Sequence, residues 1–220
     1  MILIGNYGSG KTELSLNFAL EAAKNGKTVL VDLDIVNPYF RSSEKTDMLE
    51  KQGVTVIAPP YAQTGVDLPV VGPEVASVFV GDYQTVVIDV GGDPVGAAAL
   101  GRYYDSFALQ EDLTVYFVVN VRRPLCASAE DIVALLRKIE DRSRIKVTAF
   151  INNTNLSIET TPQELIDGMK EIEKASAITG IPLAFVSGRE DVLEAFEKSE
   201  KPEAALLPVK TYMRPEWLNY

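Results

Sequence analysis

Gly5-Asn6-Tyr7-Gly8-Ser9-Gly10-Lys11-Thr12 fits the spacing G-x-x-x-x-G-K-[ST] without a mismatch. Met1-Ile2-Leu3-Ile4 precedes it as an apolar run of strand length, and Lys11–Asn25 follows with helical spacing. Strand, glycine-rich turn and helix in this order make a nest for anions. Gly5, Gly8 and Gly10 permit the tight turns that aim successive backbone N–H groups inward. The N-terminus of the helix adds its dipole. Lys11 brings a positive charge to the β/γ-phosphates of a bound nucleotide, and the Thr12 hydroxyl ligates Mg2+. The plainer reading, a glycine-rich turn that only joins strand to helix, leaves the Lys-Thr pair unexplained.

Working outward, short β-branched runs alternate with amphipathic stretches. Strands are expected over Met1–Ile4, Thr28–Asp32, Val54–Ala58, Thr85–Asp89, Leu113–Asn120, Ile145–Asn152 and Leu183–Val186. Several are nearly continuous apolar runs, as in strands buried on both faces of a parallel sheet. Helices are expected over Lys11–Asn25, Ser43–Gln52, Ser128–Asp141, Pro162–Thr179 and Glu190–Ser199. Thr161-Pro162-Gln163-Glu164 is a capping box with Pro at the first helical position. Gly26, Gly53 and Gly180 stand where helices should close. This rhythm argues an α/β, doubly wound, mostly parallel sheet with ligands at the carboxyl ends of its strands. We read residues 1–220 as one domain.

Two segments interrupt the rhythm. Pro59–Asp82 is long for a connection, and a short helix is expected around Glu74–Val80. The tail over 202–220 carries Pro202, Pro208 and Pro215 with Tyr212, Trp217 and Tyr220. It either packs on its own domain or reaches a partner subunit.

Two further strands end in acids. Val31-Asp32-Leu33-Asp34 closes the second with two acids. Asp34, the outer one, lies over the nucleotide mouth, where it can hold a water on Mg2+ or orient the attacking water. The alternative is that both acids cap the next loop or pair with a basic side chain. Val86-Val87-Ile88-Asp89 closes the fourth strand with a carboxylate suited to Mg2+. Asp89-Val90-Gly91-Gly92 also reads D-x-x-G, in which the Gly92 amide meets the γ-phosphate of a switch protein. Pro94–Gly101, rich in Gly and Ala, reads as the mobile loop of such a switch or as a packed Ala helix.

Composition narrows the chemistry. The 220 residues include no His and one Cys, so a Ser-His-Asp triad, a His-ligated metal and an internal disulfide are out. Cys126, beside a helix start, reads as a small buried hydrophobe. A formal charge of −10 disfavours non-specific binding to nucleic acid and to acidic membrane surfaces. The opening residues make too short an apolar core for a secretory signal, and no stretch approaches the roughly 18 apolar residues of a spanning helix. A soluble, cytoplasmic protein is expected.

The phosphate loop, the Asp-Leu-Asp ending and the strand-end Asp89 together resemble MinD/ParA/CobQ-type P-loop NTPases. These belong to the class that also holds the signal-recognition GTPases, nitrogenase iron protein and dethiobiotin synthetase. The resemblance spans roughly residues 1–200. It implies about seven mostly parallel strands, ATP with Mg2+ and often a nucleotide-sandwich homodimer. Val31–Ser42, Ile88–Gly96 and Ile151–Leu156 look like uncharacterised bacterial ATP-binding proteins of this group. The MinD/ParA pattern K-G-G-x-G-K-[ST] places a signature lysine where this chain has Asn6, and its Gly where this chain has Tyr7. Asn6 can offer only a neutral hydrogen bond. Arg41, Arg102, Arg122 and Arg123 are candidates for the missing charge.

The sixth strand ends Asn152-Asn153-Thr154-Asn155, where related GTPases carry N-K-x-D. Without the acidic acceptor a guanine site is weakened. Asn152 can accept from the adenine amine and donate to its ring nitrogen, with Ser187-Gly188-Arg189 over the other edge. The alternative is an Asn-rich turn that satisfies its own backbone. Three functions follow: a Mg2+-dependent ATPase switch acting on an unknown protein partner, an ATP-dependent small-molecule ligase or kinase resembling dethiobiotin synthetase, or a GTPase.

Overall fold

The protein is seen here as a computed structural model, which describes residues 1–34, 42–58, 73–92 and 94–213. Arg41, the 59–72 stretch of the Pro-rich segment and the end of the tail lie outside the described residues.

Among the described residues eight strands form one sheet: β1 (Ile2–Gly5), β2 (Thr28–Leu33), β3 (Val54–Ile57), β4 (Thr85–Val90), β5 (Val115–Val119), β6 (Ala149–Asn152), β7 (Leu183–Gly188) and β8 (Ala205–Pro208). Their order is β3-β2-β4-β1-β5-β6-β7-β8, and every neighbouring pair is parallel. The helices are α1 (Lys11–Ala23), α2 (Thr46–Lys51), α3 (Pro73–Ala76), α4 (Pro94–Gly101), α5 (Tyr104–Ala108), α6 (Ala129–Ser143), α7 (Pro162–Thr179) and α8 (Glu190–Ser199). The sheet is parallel because helices carry the crossovers.

Both faces of the sheet are covered, which is why its strands read as unbroken apolar runs. Ile2 and Ile4 join one buried cluster with Val31, Phe117 and Leu136, while Leu3 joins another with Leu14, Leu30 and Val118. Successive residues of β1 thus serve opposite cores, as the pleat requires. Local signals set the helix ends. Thr161 N–H donates to Glu164 Oε2 at 2.8 Å to start α7, and Gly180 ends it at φ 74°. Ser128 Oγ accepts the Asp131 N–H at 3.2 Å to start α6.

One expectation needs correcting, and two open alternatives are decided. The sheet has an eighth strand, hidden between Pro202 and Pro208. Its edge position in the sheet order tolerates a proline at its end. The tail, up to Met213, docks on its own chain rather than reaching outward. Asn17 and Lys210 exchange two hydrogen bonds of 2.9 Å. Glu13 accepts the N–H groups of Tyr212 and Met213, and burial raises its pKa. Finally, 94–101 is a helix and not a loop, with Ala97, Ala99 and Leu100 buried. Ala supplies helix propensity there, and small residues allow the close approach: a Cβ on Gly96 would stand 2.6 Å from the Gly91 carbonyl.

Candidate functional site: the phosphate loop and the strand ends around it

The loop between β1 and α1 takes the backbone that its glycines permit, with φ of 145°, 69° and 91° at Gly5, Gly8 and Gly10. A side chain at Gly5 would strike the Val118 carbonyl of β5, and one at Gly10 would strike the Asn153 side chain. Lys11 is 6% exposed, and its ammonium donates to the Asn6 carbonyl at 2.8 Å. Tyr7 is 64% exposed at the rim. Asn6 is buried, and its side chain works on the loop itself. Oδ1 accepts the Tyr7 N–H at 2.8 Å, and Nδ2 donates to the Pro124 carbonyl.

Asp32 of β2 and Asp89 of β4 are register partners across the sheet. Asp32 is turned inward, and its Oδ1 accepts the Asp34 N–H at 3.0 Å. Asp34 is half-buried, and its Oδ1 stands 3.0 Å from where a Cβ of Gly91 would be. Asp89 is fully buried, and neither carboxylate oxygen has a partner in hydrogen-bond geometry. Burial and the nearby charges of Asp32 and Asp34 push its pKa up to about 7, against the opposing pull of Lys11 and the Thr12 hydroxyl. Ser9 Oγ, in the loop itself, is also buried without a partner.

An orphaned carboxylate beside a lysine and a threonine hydroxyl is what a magnesium–phosphate site looks like from the protein side. Among the described residues no three His, Cys, Asp or Glu side chains group to hold a metal. Mg2+ takes one or two carboxylates and completes its shell with phosphates and water. Thr12, Asp89 and Asp34 are the residues that would hold it.

Gly92 lies against the loop. A Cβ there would stand 2.5 Å from the Tyr7 nitrogen and 2.8 Å from Lys11 Nζ. Its backbone is therefore within reach of whatever Lys11 binds.

The structure places the other proposed residues differently. Asn152 is fully buried, with Nδ2 donating to the Leu165 carbonyl at 2.8 Å and Oδ1 accepting the Thr154 N–H at 3.1 Å. Asn153 Nδ2 donates to the Ser9 carbonyl at 2.7 Å, and its Oδ1 accepts from Ser187 Oγ at 2.9 Å. Asn155 Nδ2 donates to the Asn153 carbonyl at 2.7 Å. Ser187 also donates to the Asn152 carbonyl at 3.1 Å, and Gly188 ends β7 beside Leu193. Arg189 pairs with Asp191 and donates to the Ile158 carbonyl at 2.9 Å. This is the self-satisfying turn, braced against the phosphate loop through Asn153. Cys126 is buried and its thiol is pushed up to about 12, so it is an inert apolar neighbour of Asn6.

Sequence reasoning did not single out Asn120. It is buried, donates to the Asn155 carbonyl at 3.3 Å and accepts the Arg122 N–H at 3.0 Å. An Asn at a strand's carboxyl end is the one signal that could have drawn notice to it.

No protein-family model and no curated relative matches the chain. Solved structures do. FtsY from Thermotoga maritima is similar at 20% identity and TM-score 0.58, over 86% of this chain and 61% of that one. Signal recognition particle 54 kDa protein from Aeropyrum pernix, in complex with GDP, is similar at 17% identity and TM-score 0.54, over 84% and 40%. A nucleotide-binding protein from Archaeoglobus fulgidus, in complex with ADP, is similar at 16% identity and TM-score 0.52, over 90% and 88%. The chain spans less than two thirds of the FtsY and signal-recognition structures. Among the described residues no helix is long and apolar enough to cross a membrane. With its phosphate loop between β1 and α1 and its all-parallel eight-stranded sheet, the chain has the α/β fold of the P-loop NTPases.

Proposed function

We propose that this chain binds a nucleoside triphosphate with Mg2+, hydrolyses it, and uses the difference between the two nucleotide states as a switch. The observation that carries the reading is the buried Asp89 carboxylate, unpartnered beside Lys11 and Thr12. Lys11 and the inward N–H groups of residues 5–12 bind the phosphates. Mg2+, held by Thr12, Asp89 and Asp34, would supply charge neutralisation at the phosphates. Asp34 orients the attacking water, and the Gly92 backbone senses the terminal phosphate through its contact with Tyr7 and Lys11.

The base is adenine in this reading. The turn 152–155 brings no acidic side chain for guanine, and one similar structure holds ADP. Asn152 does not read the base, since both ends of its amide are committed within the fold. A GTPase remains the second reading, supported by the GDP complex of the signal-recognition neighbour. The MinD/ParA/CobQ branch, a single domain over 1–220 and homodimerisation on nucleotide binding belong to the same proposal.

A thermal-shift panel of ATP, ADP, GTP and GDP, each with and without Mg2+, tests it. The expected result is stabilisation by a triphosphate that Mg2+ enlarges, because a ligand of the folded state raises stability by mass action. No shift with any nucleotide sinks the reading. A change of assembly state between ADP and ATP separates a switch from a ligase or kinase, which instead needs a co-substrate for turnover.

A further inference from the structure

Arg123 stands in the turn between β5 and α6, and that turn holds it over the phosphate loop. Its Nε donates to the Gly8 carbonyl at 3.0 Å. A Cβ on Gly8 would stand 3.3 Å from Nε and 3.5 Å from Cζ, so the guanidinium lies across the open face of that glycine.

The backbone beneath this side chain is pinned on both sides. Arg123 N–H donates to the Asn120 carbonyl at 3.0 Å, and the buried Asn120 side chain ties the same turn to Asn155. Asn6 Nδ2 donates to the carbonyl of Pro124, the next residue. Leu125 then adopts φ 66°, a left-handed conformation disfavoured for a residue with a Cβ, and it is 68% exposed. Strain of this kind persists where the surroundings over-determine the backbone, and it concentrates at binding sites.

Neighbouring cations are committed elsewhere. Arg122 Nη2 pairs with Asp167 at 2.6 Å, and Arg189 pairs with Asp191 at 2.8 Å. Arg123 forms no ion pair among the described residues. Nε locks the side chain onto the loop, which leaves the two Nη groups as a fork matched to phosphate oxygens.

We propose that Arg123 is a phosphate-binding residue of the nucleotide site. It supplies, from the same chain, a second fixed positive charge beside Lys11, and Asn6 is the residue that positions it. The inference rests on the nucleotide reading above. It also gives Asn6 a physical role: instead of carrying a charge, Asn6 holds the turn that brings one.

Equilibrium binding of fluorescently labelled ATP and GTP with Mg2+, and of the labelled monophosphates, tests this on the full chain. R123A should weaken the triphosphates by about tenfold or more and leave the monophosphates within about twofold, with an unchanged melting temperature without ligand. R123K should recover part of the loss, since it keeps the charge and loses the fork. N6A should lower the same triphosphate-to-monophosphate ratio, and N6A/R123A should lower it no further than R123A does. Should R123A melt early, R123Q makes the same comparison with most of the stem retained. Equal weakening of both ligands, or of neither, overturns the assignment while the nucleotide reading stands. No binding to the wild-type chain overturns both.

Discussion

The two ends of the candidate site treat their polar groups in opposite ways. On the phosphate side, at the ends of β1 and β4, Asp89 and Ser9 Oγ are buried without partners. On the side of β6 and β7, the side chains of Asn152, Asn153, Asn155 and Ser187 all bond within the fold. A buried polar group left unpaired costs the folded chain its desolvation, on the order of 1–3 kcal/mol. Such a group is kept for something that arrives. A group that finds its partners inside the chain is scaffold, even when its residue type would suit a base. The contrast sorts the proposed site residues by what they still lack.

Four measurements bear on the contrast, beginning with the largest expected effect. Lys11→Ala removes the central cation of the phosphate side, and triphosphate affinity should fall by more than about 100-fold in calorimetry. A smaller change would mean the orphaned groups are not organised around a phosphate.

Asp89→Asn should abolish the enhancement of nucleotide binding by Mg2+. It also carries a pH signature. The Asp89 pKa in the folded chain is raised from 3.8 to about 7, so its protonated form favours folding. That stability is fully present below the unfolded value and is lost as pH rises through about 7. Without ligand, the wild-type chain should lose several degrees of melting temperature over this window relative to Asp89→Asn, at about 2–4 °C per kcal/mol. Parallel melting curves for the two chains would break the assignment of Asp89 as a strained, waiting carboxylate.

Gly92→Ala places a methyl against the Tyr7 nitrogen and Lys11 Nζ. The expected result is about tenfold weaker triphosphate binding, with the diphosphate less affected. The scaffold side should answer in the opposite sense. Asn152→Ala orphans the Leu165 carbonyl and the Thr154 N–H, and should destabilise by about 1–3 kcal/mol in denaturant unfolding. The ratio of ATP to GTP affinity should hold. A shifted ratio would return Asn152 to the base and erase the distinction between the two sides.

Much of this was legible beforehand, and for local reasons. The phosphate loop needs three glycines and a Lys-Thr pair at fixed spacing, so one stretch of eight residues carries it. The capping box at Thr161 and the αL close at Gly180 are likewise written within a few residues of where they act. Strand β8 was not legible, because Ala205–Pro208 has no pattern of its own and becomes a strand only by pairing with β7. The bonds of Asn152 to Leu165 and Thr154 were not legible either, because residue type declares donors and acceptors but not which partners the fold brings near. Arg123 could not be singled out among the candidate arginines until the fold brought it to Gly8, 115 positions away.

The sequence by itself determined the phosphate-loop motif, the alternation of strand and helix, and the absence of any histidine. Each depends on residue types at short spacing or on composition. Tertiary structure alone decided which polar groups remain without partners, where the tail docks, and which arginine lies on the loop. Those depend on contacts between residues far apart in the chain, and desolvation has no value until the fold has decided what is buried beside what.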